Sequence, residues 1–67
     1  MNEIDTMPDV LTAKMIGRHL HLSLRRVYEL LDLAISAGGI PSFRIGRSKR
    51  VMKEEYRSWI AMKKNSA

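Results

Sequence analysis

The chain has 67 residues, a formal net charge of +5 and no cysteine. A chain near this length buries only about 60% of the surface that its unfolded form exposes, which leaves room for one thin core and no deep substrate cavity. The absence of cysteine excludes a disulfide framework and a thiolate metal site. Hydrophobic residues make up 45% of the chain and charged residues 28%, which is typical of a globular domain.

The charge is distributed unevenly along the chain. Residues 1–10 contain three acids and no base, whereas residues 11–67 carry a net charge of +8. A domain this small and this basic favours a polyanionic partner, nucleic acid first and an anionic membrane surface second. No apolar run approaches the roughly 18 residues that span a bilayer, and the acidic start predicts no signal peptide. We therefore expect a cytoplasmic protein with no membrane partner.

Residues 1–10 are predicted to be a flexible acidic lead, because Pro8 interrupts any helix. The folded domain is expected over residues 11–64, with residues 65–67 as a tail. The first helix is predicted over Ala13–Leu20, since Thr12 can cap it and apolar residues recur at helical spacing. A glycine inside that helix predicts the close approach of another helix, unless it is merely tolerated.

The second helix is predicted over residues 24–37 and begins after another capping residue, Ser23. Two short helices joined by a turn of three to four residues form the helix-turn-helix pattern, and Leu22 is expected to fill the core between them. Two glycines and then Pro41 are expected to end the second helix. Its expected apolar stripe comprises Val27, Leu30, Leu31 and Ala34, flanked by Leu24 and Ile35.

Residues 42–52 predict a β-hairpin, because apolar and basic residues alternate on both sides of a turn that we place at residues 46–48. This register puts three apolar side chains inside and two arginines outside. A two-residue loop would instead pair Phe43 with Arg50 and mix the faces. The pairs that we prefer are Ile45 with Lys49, Arg44 with Arg50, and Phe43 with Val51.

A third helix is predicted from Lys53. Glu54 and Glu55 lie in its first turn, where the helix dipole favours negative charge. Its expected buried face comprises Tyr56, Trp59 and Ile60.

The hairpin carries bases and no acid. In the preferred register Arg44 opposes Arg50, a like-charge pair that an external anion would relieve. Arg47 at the tip suits insertion into the minor groove of DNA, whose potential attracts guanidinium groups. The alternative is a solvated hairpin whose charge only keeps it soluble. The candidate DNA-binding residues of the hairpin are Arg44, Arg47, Ser48, Lys49 and Arg50.

The start of the second helix is the other candidate site, because helix-turn-helix proteins place it in the major groove. Arginine can bond two acceptors on guanine and glutamate can accept from cytosine. The alternative for Arg25 is an intrahelical pair with Glu29, and Tyr28 is equally consistent with packing. On the first helix, Lys14 and Arg18 are candidate phosphate contacts or solvated charges. The candidate major-groove residues are Ser23, Arg25, Arg26, Tyr28 and Glu29.

Catalysis and metal binding have little support in the sequence. Glu54 and Glu55 are adjacent and point about 100 degrees apart on a helix, and no nucleophile–base pair is evident. His19 and His21 diverge, with no acid or cysteine clustered beside them. We therefore expect no enzyme activity, no metal and no cofactor.

Four segments together resemble the excisionase-type, MerR-like winged helix-turn-helix family. Residues 11–23 resemble its opening, residues 25–31 its second helix, residues 40–51 its wing and residues 55–60 its closing helix. The usual turn glycine is His21 here, and histidine tolerates left-handed geometry better than most residues. Between the second helix and the wing the chain is about four residues longer than the usual pattern, which predicts a second helix longer by about one turn.

The resemblance implies a mainly α fold with a β-hairpin, in the winged helix-turn-helix arrangement. Excisionases of this family bind DNA near recombination sites, bend it and help an integrase to excise a mobile element. The implied partners are double-stranded DNA, an integrase or recombinase, and further copies bound cooperatively. The implied protein is nucleoid-associated and encoded by a bacterium, phage or plasmid. No C-terminal coiled coil is evident, so no small-molecule effector is expected.

Two other functions stay open at this point. The first is a small transcriptional regulator of a phage or plasmid, similar to the AlpA-like members of the same family. The second, from another class, is a protein-interaction module whose basic face binds an acidic partner.

Overall fold

The computed structural model describes residues 3–65 and shows a mostly helical molecule with one antiparallel sheet. The sheet has three strands in the order β1-β3-β2. This arrangement is consistent with a winged helix-like shape. None of the described helices is long and apolar enough to cross a membrane. The helices are α1 (Ala13–Leu20), α2 (Leu24–Asp32) and α3 (Lys53–Asn65), and the strands are β1 (Val10–Leu11), β2 (Phe43–Ile45) and β3 (Ser48–Met52).

Both predicted helix caps are confirmed. The hydroxyl of Thr12 accepts from the amide of Met15 at 3.2 Å, and that of Ser23 accepts from the amide of Arg26 at 3.2 Å. Each bond satisfies an amide that has no partner within its own helix. The bounds predicted for α1 and the start predicted for α2 are therefore confirmed.

The turn between α1 and α2 brings the two helices close together. His21 adopts a left-handed conformation with φ 59°, as expected for the residue in place of a turn glycine. A Cβ added to Gly17 would lie 3.3 Å from Val27 Cγ2, so the predicted approach of the second helix is confirmed. Leu22 is 37% exposed, and the expectation that it fills the core is wrong because the turn carries it outwards.

The second helix is shorter than predicted. It ends at Asp32, and a 3-10 turn over Ile35–Ala37 follows two extended residues. The chain then folds back, since the amide of Ile40 donates to the carbonyl of Leu30 at 3.1 Å and Ile40 is buried. A helix continuing to residue 37 would carry Ile40 away from the core. The additional residues therefore form a compact turn, and Leu24, Ala34 and Ile35 are exposed.

The expectation of a flexible, unstructured lead is also wrong for the described residues 3–10. Glu3–Thr6 forms a 3-10 turn whose Ile4 is 2% exposed, and β1 pairs with β3. An isolated apolar residue followed by a two-residue strand shows no periodicity, so sequence pattern alone misses it. The segment closes one edge of the core, because Leu11 lies opposite Val51 and both are fully buried.

The hairpin has a two-residue turn, so the preferred three-residue loop is wrong. Gly46 has φ 62° and occupies the first central position, where type II′ turns need glycine. Of the three side chains expected inside, only Val51 is buried, whereas Phe43 is 38% and Ile45 is 60% exposed. The core lies at the β1 end of β3, and the turn end of the hairpin projects beyond it. The observed pairs are Phe43 with Arg50, Arg44 with Lys49, and Ile45 with Ser48.

The third helix begins at Lys53 as predicted and buries Tyr56 and Trp59. Trp59 Nε1 donates to the carbonyl of Gly38 at 3.0 Å, which holds the turn after α2 against α3. Asn65, expected in the tail, belongs to the helix, and residues 66–67 lie outside the described part of the chain.

Tyr56 and two other residues form a chain of polar contacts at the edge of the core. Its hydroxyl lies 2.6 Å from His19 Nδ1, and His19 Nε2 lies 3.4 Å from a carboxylate oxygen of Glu3. A hydrogen bond in which the tyrosine hydroxyl donates to Nδ1 requires the imidazole tautomer that carries its proton on Nε2, which faces Glu3. Burial raises the pKa of Tyr56 to about 12, since desolvation disfavours the phenolate.

We expect Gly39→Ala to lower the free energy of unfolding by about 2–3 kcal/mol, because the added Cβ meets backbone atoms that have little freedom to move. That Cβ would overlap the backbone carbonyl oxygen of Leu33. Urea unfolding followed by circular dichroism measures the change. The control is Ser36→Ala at an exposed site, which should stay within about 0.5 kcal/mol of wild type. Equal stability of the two variants would contradict the close approach.

The buried tyrosine predicts a loss of stability at alkaline pH. Below pH about 10 the Tyr56 hydroxyl is neutral in both the folded and the unfolded protein. Between pH 10 and 12 it ionises in the unfolded chain but stays neutral in the folded protein, so the free energy of unfolding falls by about 2 kcal/mol. Tyr56→Phe should remove this component of the pH dependence. Tyr28→Phe is the matched control, because Tyr28 is 44% exposed. Identical alkaline profiles for the two variants would disprove the assignment.

Candidate nucleic-acid interface

The candidate major-groove residues lie together on the first turns of α2. Arg25, Arg26, Tyr28 and Glu29 are all exposed, and Ser23 caps the helix in front of them. Because α2 turns once every 3.6 residues, Arg25, Glu29 and Asp32 project from nearly the same side, opposite the buried Val27 and Leu31. Asp32 lies about 10 Å along the axis from Arg25.

The ion pair on this helix is not the predicted one. Arg26 Nη1 contacts Glu29 Oε1 at 3.0 Å, across three residues, whereas Arg25 forms no ion pair within residues 3–65. The alternative in which Arg25 pairs with Glu29 is not observed, since Arg26 reaches the same carboxylate. Both members of the observed pair are more than half exposed, so it contributes little stability. An approaching anion can displace Glu29 at small cost.

The candidate residues of the hairpin divide between its two faces. Arg44 and Lys49 are directly opposed and share one face with Val51, whereas Arg50 shares the other face with Phe43. Arg50 Nη1 donates to the carbonyl of Lys49 at 2.8 Å. The predicted opposition of Arg44 and Arg50 is therefore replaced by that of Arg44 and Lys49.

The turn end of the hairpin is open to solvent. Arg47 lies in the turn, and both it and Ser48 at the start of β3 are exposed. The side chains of Arg44 and Arg47 form no hydrogen bond or ion pair with any described residue. Two guanidinium groups are thus presented at the projecting end of the hairpin.

Asp32 belongs to the candidate interface but was not among the residues that the sequence predicted for it. Its carboxylate forms an ion pair with Lys49 Nζ, and the lysine side chain is only 18% exposed. The contact joins the end of α2 to β3 and offsets the like charges of Lys49 and Arg44. The available signal was helical spacing, because Asp32 follows Arg25 by seven residues and therefore lies on its face.

These contacts place the two candidate elements on adjoining surfaces. Asp32 shares the exposed face of α2 with Arg25 and contacts Lys49, which is opposed by Arg44. The exposed face of α2 therefore continues onto the hairpin face that carries Arg44. Lys14 and Arg18 are exposed on α1 and border a surface groove of about 290 Å³ that reaches Leu24 at the start of α2.

Ion pairs of the N-terminal segment involve two bases, Lys53 and Arg57, of α3. Asp5 contacts Arg57 at 2.7 Å and Asp9 lies 3.7 Å from Lys53 Nζ, so bases of α3 are partly neutralised. The exposed bases that form no ion pair within the described residues are Lys14, Arg18, Arg25, Arg44 and Arg47, together with Lys63 and Lys64 near the end of α3.

No cluster of three or more His, Cys, Asp or Glu side chains that could hold a metal ion is present in residues 3–65. Comparison of the chain with protein-family models, with curated proteins and with solved structures found no match. The resemblance to the excisionase-type family therefore stays a hypothesis, supported by the motif at residues 40–51 and by the order of the elements.

Proposed function

We propose that this protein is a sequence-specific, double-stranded DNA-binding protein of the winged helix-turn-helix type, in which α2 enters the major groove and the hairpin contacts the minor groove or the phosphates. The observation that carries the proposal is the set of exposed arginines without acidic partners on two adjoining elements, Arg25 on α2 and Arg44 and Arg47 on the hairpin. Such a surface suits a polyanion with two neighbouring grooves.

In this proposal the start of α2 reads bases. Arg25 is free to make a bidentate contact with guanine, while Arg26 exchanges Glu29 for a phosphate or a base. The helix start capped by Ser23 offers amides to a phosphate, and the Tyr28 hydroxyl is exposed beside it. Lys14 and Arg18 extend phosphate contact along α1.

The hairpin supplies the second contact. Its ion pair with α2 holds the hairpin beside the exposed face of that helix. Arg47, which is exposed in the turn of the hairpin, contacts the minor groove. Ser48, Lys49 and Arg44 line the route from that tip to α2, whereas Arg50 lies on the opposite face of the hairpin.

The cellular role that we propose is that of an architectural factor, an excisionase that helps an integrase to excise a mobile element. Supporting it are the small size, the basic hairpin and the family resemblance. The alternative within the same class is a small transcriptional regulator. Footprinting on DNA that flanks the gene, with a bending assay on the protected fragment, separates the two. Bent DNA with repeated sites beside a recombination site supports the excisionase, and a single unbent site within a promoter supports the regulator.

We expect Arg47→Ala to weaken binding to all DNA sequences and to reduce the slope of log affinity against log salt by about 1. Arg25→Ala should cost about 1–3 kcal/mol on the preferred site and less on random DNA. Fluorescence anisotropy at several salt concentrations measures both effects. The matched control is Lys64→Ala, which removes an equal charge from an exposed position near the end of α3. If all three variants bind alike, the proposed interface is wrong.

The ion pair between Asp32 and Lys49 yields a gain-of-function prediction. Asp32→Asn should increase affinity for random DNA and steepen the salt slope by about 1, because it removes an acid beside the phosphates and releases Lys49. Asp5→Asn is the matched control, since it makes the same charge change at a carboxylate that contacts Arg57. A larger gain from Asp5→Asn would place the DNA on another face. No salt dependence in the wild-type protein would favour the protein-interaction module.

A further inference from the structure

The sheet face that carries Arg50 is apolar and uncovered. Directly opposed residues and alternate residues of a strand share a face, so Arg50 lies between Phe43 across the strand pair and Met52 two residues along β3. Val10, opposite Met52, extends the same face. These three apolar side chains are 38–39% exposed. This sheet face is therefore an apolar surface with the cation of Arg50 at its centre.

An uncovered apolar groove lies elsewhere on the chain, between α3 and the turn after α2. It measures about 370 Å³, and its apolar lining includes Trp59, the 62% exposed Ile35 and the 58% exposed Met62. Two carboxylates, Glu54 and Glu55, line it as well. Glu54 contacts Arg57 at 3.5 Å, whereas Glu55 forms no ion pair with a described residue.

The two surfaces complement each other in polarity and in charge. One presents apolar side chains around an arginine, and the other an apolar recess with carboxylates. Arg50 and Glu55 form no ion pair within the described residues of one chain. The guanidinium of Arg50 has five donors and uses one on the carbonyl of Lys49, so it retains donors for a carboxylate.

We propose that these surfaces join copies of this chain head to tail, with the Arg50 face of one copy docked on the Glu55 groove of the next. The reason for choosing a second copy is that both halves of the complementary contact belong to this sequence. Apolar side chains supply the area and the Arg50–Glu55 pair supplies register and selectivity. The contact does not depend on the proposed DNA-binding function.

The test is sedimentation equilibrium of the full chain without DNA, over a concentration range that reaches about 1 mM. Wild-type protein should associate reversibly. Arg50→Glu and Glu55→Arg should each raise the dissociation constant at least about tenfold, because each places like charges together. Lys64→Glu, at an exposed site outside both surfaces, is the charge control and should leave the constant within about twofold.

The decisive experiment exchanges the charges of residues 50 and 55. An equimolar mixture of Arg50→Glu and Glu55→Arg, and a single chain that carries both substitutions, should recover the wild-type constant to within about threefold, because each restores an opposite-charge pair. Circular dichroism of each variant must show the wild-type spectrum and melting curve. A wild-type chain that stays monomeric at about 1 mM overturns the proposal, and so does failure of both exchanges to restore association between folded variants.

Discussion

The side-chain alternation of β3 is the constraint on which the candidate interface depends. Val51 is fully buried opposite Leu11, and this contact determines which face of the strand points inwards. Because successive side chains of a strand point to opposite faces, Lys49 must share the face of Val51. It thereby reaches Asp32 at the end of α2, and Arg44 follows it by cross-strand pairing. A slip of one residue would reverse all of these positions.

The thin core explains why the N-terminal residues matter. A chain of this size has little apolar surface to bury, and Ile4 and Leu11 contribute two of its buried side chains from outside the helix-turn-helix segment. The same segment brings Glu3, Asp5 and Asp9 into contact with His19, Arg57 and Lys53 respectively. Individually these exposed pairs are worth about 1 kcal/mol or less. Two of them also neutralise part of the positive charge of α3, at Lys53 and Arg57.

The division of the hairpin into two faces allows one element to serve two proposed contacts. The face with Arg44 and Lys49 continues the exposed surface of α2, which is the side we assign to DNA. The other face carries Phe43 and Arg50, and we assign it to a second copy of the chain. Because the two sets of side chains point in opposite directions, occupation of one does not sterically require displacement of the other.

Much of the fold was predictable from local chemistry. The caps at Thr12 and Ser23, the bounds of α1, the left-handed His21 and the start and buried face of α3 all follow from interactions within a few residues. The candidate residues at the start of α2 were predictable for the same reason, since capping and helical spacing determine both their position and their exposure. Whether they bind DNA stays a prediction.

Only the tertiary structure decided the features that depend on contacts between distant residues. The end of α2 at Asp32 depends on Ile40 returning to the carbonyl of Leu30, which outweighs a local pattern that continues to residue 37. The exposure of the hairpin depends on β1, whose pairing with β3 places the core at one end of the strand and leaves Phe43 and Ile45 exposed. The sequence pattern gives the polarity of each residue. The end of α2 and the exposure of the hairpin depend instead on packing against segments that are distant in the chain.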